Sequence, residues 1–293
     1  MTSAANNDAG ARRRNLMLRI ASASVLIPVV LLAAYLGGWI FSVLCTLGAL
    51  GILWEWNRLA GIANTPIMAT GVVALVAALV FTGVGHAIAA VGALAIGAMA
   101  AGSVASFGRS AGGGNAPAAA FWAAGGLIYA GAAFLGPALL RRDAELGFAA
   151  FLFLAATVWC TDTCAFAVGR SFGGPLLWRQ ISPNKTWSGA IGGLAGGVAG
   201  GALVAYAEGL GRLALIGVIA LVLSALSQAG DLLESAIKRH FGAKDTSQLI
   251  PGHGGLMDRL DGFLIAAAAA LLIGVLRQGT DAPAHGLLVW SAQ

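Results

Sequence analysis

The sequence predicts a helix face that carries two carboxylates and an amine, in the last third of an otherwise apolar chain. The segment reads D-L-L-E-S-A-I-K-R-H. On a helix, four polar side chains fall on one face at i, i+3, i+4 and i+7: Asp231, Glu234, Ser235 and Lys238. Arg239 lies beside that face. The alternative is a solvated helix with ordinary i, i+4 ion pairs. Because Asp231 directly ends an apolar run, where a carboxylate in lipid is costly, the pattern favours a functional site.

Two further carboxylates begin the last long apolar run, which starts D-R-L-D. Asp258 and Asp261 point to the same side of a helix, whereas Arg259 is turned away from Asp258 by about 100°. Paired carboxylate oxygens are ligands that Mg²⁺ accepts while it also holds nucleotide phosphates. The spacing therefore predicts a metal site, and a structural Asp–Arg pair is the alternative.

The segment that joins these two helices is rich in glycine and reads F-G-A-K-D-T-S-Q-L-I-P-G-H-G-G. Gly252, Gly254 and Gly255 permit positive φ and a close approach of the backbone to a ligand. Loops that bind phosphate require both properties. Lys244 adds a mobile positive charge that suits a phosphate.

A second polar loop, I-S-P-N-K-T, precedes another apolar run. Ser182 or Asn184 is expected to cap the following helix, and Lys185 near its amino end is placed to bind phosphate together with backbone N–H groups. For Ser182 alone, an ordinary turn or cap is at least as consistent as catalysis. Asp162 adds a carboxylate within the preceding apolar run. The chain has fourteen arginines but only three lysines, and the lysines all fall in these two polar regions: Lys185, Lys238 and Lys244.

The elements that position these residues are membrane helices. Of the 293 residues, 58% are hydrophobic and 10% are charged, and the mean hydropathy is +0.84. A soluble domain carries about 25% charged residues. About nine apolar runs of bilayer-spanning length predict an all-α polytopic membrane protein without a separate soluble domain. The predicted spans are residues 20–37, 39–56, 66–84, 87–105, 118–140, 147–168, 187–207, 213–230 and 259–276.

The chain divides on this basis into four regions: a polar tail, 1–19; N-terminal helices, 20–140; a catalytic region, 141–276, with loops 169–186 and 232–257; and a C-terminal tail, 277–293. Twelve lysines and arginines fall on the side of these loops, against four on the opposite side, which predicts that the loops face the cytoplasm. A soluble nucleotide would reach both loops there. The basic residues are scattered among short loops, so the high pI does not indicate a nucleic-acid partner.

Glu55 lies between Trp54 and Trp56 at the end of the second predicted span. Tryptophans favour the membrane interface, so Glu55 is expected to face lipid headgroups, with a role in the site as the alternative. Glycines recur every four residues from Gly189 to Gly201 and predict a tightly packed helix. Cys160 and Cys164 lack histidine partners and are interpreted as packing residues rather than metal ligands.

The sequence S-A-I-K-R-H-F-G-A-K-D-T-S-Q-L-I-P-G-H-G-G-L-M-D-R-L-D resembles the signature of the phosphatidate cytidylyltransferase, or CDP-diacylglycerol synthase, family. D-T-C-A-F-A-V-G-R-S-F-G with I-S-P-N-K-T is similar to a second segment of that family. The resemblance implies a polytopic enzyme of the bacterial inner membrane. It would use CTP and phosphatidic acid, with Mg²⁺ and K⁺, to make CDP-diacylglycerol and pyrophosphate, and it is compatible with a homodimer.

The resemblance also implies roles for individual residues. Asp231, Asp258 and Asp261 would form the metal centre. The phosphates would be contacted by Lys185, Lys238, Arg239, Lys244 and Arg259, and the substrate-binding set also contains Ser182, Ser235, His253, Gly254 and Gly255. His253 would protonate pyrophosphate, contact the lipid phosphate or brace its loop. Ser188 stands where family members often have glutamate, so any carboxylate function there would have to come from Glu234 or Asp162.

The attacking phosphate of such a reaction is already an anion, so no strong base is needed. Catalysis would come from positioning and from cations that offset the repulsion between two polyanions. Two rivals remain: a CTP-dependent polyprenol kinase, which would release CDP, and a cation transporter that uses the intramembrane aspartates. A transporter would more often place its carboxylates near mid-membrane in two related repeats.

Overall fold

The computed structural model describes residue 17 and residues 22–112, 114–249 and 254–290, which form ten α-helices and one β-hairpin. The helices are α1 (Ser22–Leu36), α2 (Gly38–Leu59), α3 (Thr65–Gly83), α4 (Ala87–Ala111), α5 (Ala116–Arg141), α6 (Gly147–Phe172), α7 (Trp187–Ala207), α8 (Leu213–His240), α9 (Met257–Gln278) and α10 (Pro283–Leu288). The hairpin strands are β1 (Leu176–Trp178) and β2 (Ser182–Thr186).

Eight of the described helices, α2 to α9, are long and apolar enough to cross a membrane. The prediction of an all-α polytopic membrane protein is therefore confirmed. The first predicted span, 20–37, corresponds to the shorter α1, and residues 20 and 21 lie outside the described part of the chain.

Two boundaries near the polar loops differ from the predicted spans and loops. The α8 helix continues to His240, ten residues beyond the predicted span 213–230 and into the region predicted as a loop at 232–257, in agreement with the predicted helical face from Asp231 to Lys238. The region predicted as a loop at 169–186 contains the end of α6 and the antiparallel hairpin, in which Leu176 pairs with Thr186 and Trp178 with Ser182. Both departures place polar residues on regular, hydrogen-bonded backbone.

The cap of α7 also differs from the prediction. Ser182 and Asn184 belong to β2, and the side chain of Thr186 accepts a hydrogen bond of 3.1 Å from Gly189 N. Ser and Thr are suited to this N-cap position because their oxygen satisfies an otherwise unpaired N–H group. Lys185 therefore lies one residue before the cap, at the end of the hairpin.

The glycine-rich α7 packs closely along α6, as its spacing predicts. A Cβ atom on Gly192 would lie 2.6 Å from Val168, and one on Gly200 would lie 2.7 Å from Cys160 Sγ. Cys164 contacts the same helix at Gly196. The two cysteines are free thiols at this contact, and α6 and α7 are held too close for larger side chains.

Successive membrane crossings bring one set of helix ends to the same side of the bundle. The α2, α6 and α8 helices end there, and α7 and α9 begin there. Ile237 of α8 and Met257 of α9 are buried in the core formed by α2 to α5, which fixes the α8–α9 junction against the N-terminal helices. The described parts of the polar motifs meet at this end.

The opposite end contains a different polar contact, between the α5–α6 connection and α10. His285 Nδ1 lies 2.6 Å from Asp143 Oδ2. Hydrogen bonding to Asp143 raises the pKa of His285. Burial acts to raise the pKa of Asp143, but hydrogen bonds from His285 and from backbone N–H groups outweigh it, and the net direction is downward. The pair ties α10 to the membrane bundle.

Candidate active site

A buried ion-pair cluster joins α8 and α9. Lys238 Nζ lies 2.6 Å from Glu234 Oε2 and 2.7 Å from Asp258 Oδ1. The three side chains are 13%, 0% and 8% exposed, for Lys238, Glu234 and Asp258 respectively. The predicted spacing on α8 does place Glu234 and Lys238 on one face. That face is turned into the protein, where opposite charges must pair to offset their desolvation.

Asp258 is hydrogen-bonded through both of its oxygens. Its Oδ2 accepts from Thr246 N at 3.1 Å, from Thr246 Oγ1 at 3.0 Å and from Gly255 N at 3.0 Å. Its Oδ1 accepts from Lys238. Asp258 therefore connects the beginning of α9 to the preceding loop and offers little free lone-pair capacity to a metal ion.

Glu55 is fully buried, with 0% exposure. Its carboxylate accepts from Ser247 Oγ at 2.5 Å, Thr246 Oγ1 at 3.1 Å, Leu256 N at 2.8 Å and Met257 N at 2.7 Å. The expectation that Glu55 faces lipid headgroups was wrong. Hydrogen bonds from the α8–α9 loop stabilise the carboxylate inside the protein, which a lipid-facing position would not do.

A cavity of about 570 Å³ lies beside this cluster, between α6, the hairpin, α7 and α8. Lys185 and Asp231 form an ion pair on its wall, and each side chain is about one-third exposed. The cavity is lined by Asp162, Ala165, Phe166, Gly169, Arg170, Leu177, Ser182, Asn184, Lys185, Thr186, Gly189, Ala190, Gln228 and Asp231. Positive, negative and apolar side chains thus share one space.

The backbone oxygen of Asp261, three residues after Asp258 on α9, packs against Gly230, next to Asp231 of α8. Asp261 itself does not line the cavity. Its Oδ1 accepts from Gly262 N at 2.7 Å. The two carboxylates predicted to act together on α9 therefore face different surroundings.

The described residues contain no group of three or more His, Cys, Asp or Glu side chains arranged to hold a metal ion. Asp258 does not fit a metal-ligand role in this arrangement, because protein donors occupy both of its oxygens. Asp231 and Asp261 fit better, since Mg²⁺ is often held by only one or two carboxylates together with substrate phosphates. The metal centre stays a prediction.

The other residues of the predicted site are distributed around these two groups. Gly254 has a φ of +87°, as expected of the glycine loop. A Cβ on Gly255 would lie 2.9 Å from both Glu55 Oε2 and Asp258 Oδ2. Arg239 donates to Ala243 O at 3.2 Å. Ser235 is half-buried on α8, whereas Lys244 and Arg259 are exposed, and Gly252 and His253 lie outside the described residues.

Several residues of the site were missed from the sequence. Arg170 and Gln228 line the cavity, and Thr246 and Ser247 bind Glu55 and Asp258. For Gln228 a local signal existed, because it lies three residues before Asp231 on the same helix face. Ser188 donates to Gly173 O and lies 3.0 Å from Thr186 Oγ1, so it ties the start of α7 to the end of α6 and to β2 without a carboxylate.

The fold and the site define a polytopic membrane protein with a charged cavity at one end of its helices. Residues 17–276 match the model of the cytidylyltransferase family, and the chain belongs to that family. It is therefore a nucleotidyltransferase, as the motifs predict, and family membership favours this class over the cation transporter.

Two relatives extend the match over almost the whole chain. A phosphatidate cytidylyltransferase of Brucella suis is 41% identical over 278 residues, which is 92% of this chain and 97% of the relative. One of Brucella abortus is 42% identical over 271 residues, or 89% and 94% of the two chains. A relative of the same name from Bacillus subtilis is 38% identical over 141 residues, or 47% of this chain and 51% of its own.

Proposed function

We propose that the protein transfers CMP from CTP to phosphatidic acid and releases CDP-diacylglycerol and pyrophosphate. The support is the near-complete match to relatives named phosphatidate cytidylyltransferase, together with the chemistry of the cavity. The cavity observation carries the proposal. Lys185 and Arg170 line the same space as the apolar side chains of Phe166 and Ala165, which suits a phosphate attached to a hydrocarbon tail.

The reaction joins two polyanions. A phosphate oxygen of the lipid attacks the α-phosphorus of CTP, the bond from that phosphorus to the β-phosphate oxygen breaks, and pyrophosphate leaves with the electron pair. Because the nucleophile is already ionised, the protein mainly has to position the two phosphates and offset their charge. Lys185 and Arg170 are the cations at the cavity wall for that purpose.

The Lys185–Asp231 pair gives the cavity a way to accept a phosphate. Each side chain is about one-third exposed, so an entering phosphate can replace Asp231 as the partner of Lys185. Asp231 is then available for a cation. The ammonium of Lys238, seven residues after Asp231 on α8, is held by Glu234 and Asp258 and supplies a fixed positive charge.

Mg²⁺ belongs to the proposal as the cation that Asp231 and Asp261 would hold, with K⁺ as a second cation supported by the family resemblance alone. When bound, Mg²⁺ would neutralise charge on the phosphates. The predicted roles of Ser182, Ser235, Arg239, Lys244, His253, Gly254, Gly255 and Arg259 in substrate binding are part of the same proposal.

The proposed location is the bacterial inner membrane with the cavity facing the cytoplasm. The excess of lysine and arginine in the connections on the side of the cavity supports this orientation. A homodimer stays a prediction from the resemblance.

Product analysis tests the proposed function. Purified protein in lipid-containing micelles is incubated with Mg²⁺, phosphatidic acid and CTP labelled at the α-phosphate. The expected result is label in CDP-diacylglycerol, with equimolar pyrophosphate. Release of labelled CDP with phosphorylation of an added polyprenol would instead support the kinase alternative and overturn the proposal.

A pair of variants on the hairpin assigns the reaction to the cavity. Lys185→Met removes one of the two cations of the cavity wall, whereas Arg179→Met removes an exposed cation from the turn of the same hairpin. Lys185→Met is expected to lower kcat/KM by about 100-fold or more, and Arg179→Met by less than about threefold. Equal effects of the two substitutions would contradict the assignment.

A further inference from the structure

The first turn of α9 receives its cap from a distant helix. The residue before α9, Leu256, has no polar side chain and makes no cap hydrogen bond of its own. The backbone N–H groups of Leu256 and Met257 instead donate to Glu55 Oε1 and Oε2 at 2.8 and 2.7 Å. A carboxylate is favourable there, because the amino end of a helix carries partial positive charge. Glu55 reaches it from α2, 201 and 202 residues away in sequence.

The same carboxylate also binds an earlier part of the α8–α9 loop. Ser247 Oγ donates to Oε1 at 2.5 Å, and Thr246 Oγ1 lies 3.1 Å from Oε2. We call this group the Glu55 clamp; it consists of Glu55, Thr246, Ser247, Leu256 and Met257. The clamp therefore fixes the α8–α9 loop at residues 246 and 247 and again where the loop enters α9. Hydrogen bonds to an ionised group are the stronger kind, which suits this role.

The clamp is continuous with the ion-pair cluster. Thr246 contacts both Glu55 and Asp258, and its single hydroxyl hydrogen can be given fully to only one of them at a time. Gly255 lies against both carboxylates, with no room for a Cβ. Since Asp258 holds Lys238, a shift of the clamp would displace the Lys238 ammonium, and it would also displace Asp261 one turn further along α9.

Glu55 itself has no exposed surface and does not line the cavity. We infer that Glu55 is a positioning residue of the enzyme, which acts on the reaction only through the α8–α9 loop and the first turn of α9. The inference rests on the proposed function for its effect on catalysis. The contacts of the clamp stand independently of it.

The test compares Glu55→Ala and Glu55→Gln in the full-length protein. Glu55→Ala loses all four acceptor contacts and is expected to lower kcat by about 100-fold, because an error of about 1 Å in position has an effect of that size. KM for phosphatidic acid should change by less than about threefold, since the lipid does not touch Glu55. Glu55→Gln keeps one acceptor oxygen and should recover at least about tenfold of the lost kcat.

Amide hydrogen exchange of residues 254–258, measured without substrates, reports on the clamp itself. Exchange there should accelerate by at least about tenfold in Glu55→Ala and less in Glu55→Gln. This measurement separates the two proposals: if the wild type makes no CDP-diacylglycerol, the proposed function fails while the exchange result still tests the clamp. Unchanged exchange in Glu55→Ala would overturn the inference, and so would faster exchange with unchanged kcat.

Two control variants exclude general effects. Glu208→Ala removes an exposed glutamate at the end of α7 and should alter neither exchange nor kcat. Gly131→Ala, whose Cβ would lie 2.9 Å from Leu94 Cδ1, disturbs packing between α4 and α5 away from the loop. If Gly131→Ala lowers kcat as far as Glu55→Ala does at the same loss of thermal stability, loss of stability explains the effect and the positioning role is wrong.

Discussion

Asp231 and Asp258 are aspartates on adjacent helices of one site, yet their surroundings are opposite. Asp231 is 32% exposed, lines the cavity and pairs with Lys185, which is exposed to a similar degree. Asp258 is 8% exposed and accepts hydrogen bonds from Lys238, Thr246 and Gly255. A carboxylate with open lone pairs can exchange its partner for a ligand. One whose oxygens are all used by the protein holds the structure in place.

This difference divides the site into a cavity side, with Lys185 and Asp231, and a clamp side, with Glu55, Glu234, Lys238, Thr246 and Asp258. Substitutions on the clamp side should lower both stability and activity. Substitutions on the cavity side should lower activity alone. Three variants test the division, and a fourth tests the polar contact at the opposite end of the helices.

Lys238→Met on the clamp side is expected to have the largest effect. It leaves Glu234 and Asp258 buried without their counter-charge, and breaking a buried pair in this way costs about 3–5 kcal/mol. Thermal unfolding in detergent should show a large fall in the midpoint, and activity should be lost with it. Lys238→Arg, which keeps the charge, is the control and should retain most of the stability. A Lys238→Met protein of wild-type stability would contradict the role given to the cluster.

Asp231→Asn on the cavity side should remove activity without loss of stability. The neutral amide does not balance the charge of Lys185 and would be a weaker ligand for the proposed cation, so kcat/KM is expected to fall by about 100-fold. The unfolding midpoint should stay within about 2 °C of the wild type, because the group is partly exposed. Asp245→Asn, an exposed aspartate on the same side of the bundle, is the matched control. A loss of stability as large as that of Lys238→Met would erase the distinction between the two sides.

Gly255→Ala tests how closely the clamp side is packed. The added Cβ would come within 2.9 Å of Glu55 Oε2 and Asp258 Oδ2. Overpacking of this kind costs about 1–3 kcal/mol, so both the unfolding midpoint and kcat should fall. Gly48→Ala in α2 meets no atom within 4 Å and should leave both quantities unchanged or slightly raise stability. Equal behaviour of the two variants would show that the space around Gly255 is not restricted.

His285→Gln at the opposite end should have the smallest effect, visible as a change in pH dependence. Because the pKa of His285 is raised, its pairing with Asp143 stabilises the folded protein fully at pH values below the ordinary histidine pKa of 6.5. This stabilisation is lost as the pH rises through the raised pKa. Because the pKa of Asp143 is lowered, its contribution to the stability of the folded protein is present at pH values above the ordinary aspartate pKa of 3.8. That contribution is lost as the pH falls through the lowered pKa.

The midpoint difference between wild type and His285→Gln should therefore be largest near about pH 5 and shrink towards about pH 9. Thermal unfolding measured across that range checks it, with the exposed His86 replaced by Gln as the control. A difference that grows with pH would have the wrong sign. Activity well below the unfolding midpoint should be unaffected, since this pair is remote from both sides of the site.

Much of the architecture follows from local sequence. Hydropathy over a window of about 20 residues locates membrane helices, because the bilayer imposes one length on all of them. The prediction of the cytidylyltransferase class from S-A-I-K-R-H to D-R-L-D is also confirmed by the family match. The shared face of Glu234 and Lys238 follows from helix periodicity. What periodicity could not give is the direction of that face, which points into the protein.

The surroundings of Glu55 could not be predicted from the local sequence. Its flanking tryptophans predict the membrane interface, and a window of any practical width around residue 55 contains none of its partners. Those partners lie 191 to 202 residues away. They reach Glu55 only because α2 packs against the start of α9, and that arrangement depends on the shapes of many helix surfaces at once.

By itself, therefore, the sequence determined the class of fold and the family, and it predicted the residues of a metal and phosphate site. Only the tertiary structure decided how those residues are divided, with Asp231 and Lys185 at a cavity and Asp258 joined to Glu55 through Thr246. The physical reason is that hydropathy and helical spacing act over a few turns of one chain segment. Whether a carboxylate is left open to ligands or satisfied by the protein depends on which distant donors the packed helices bring to it.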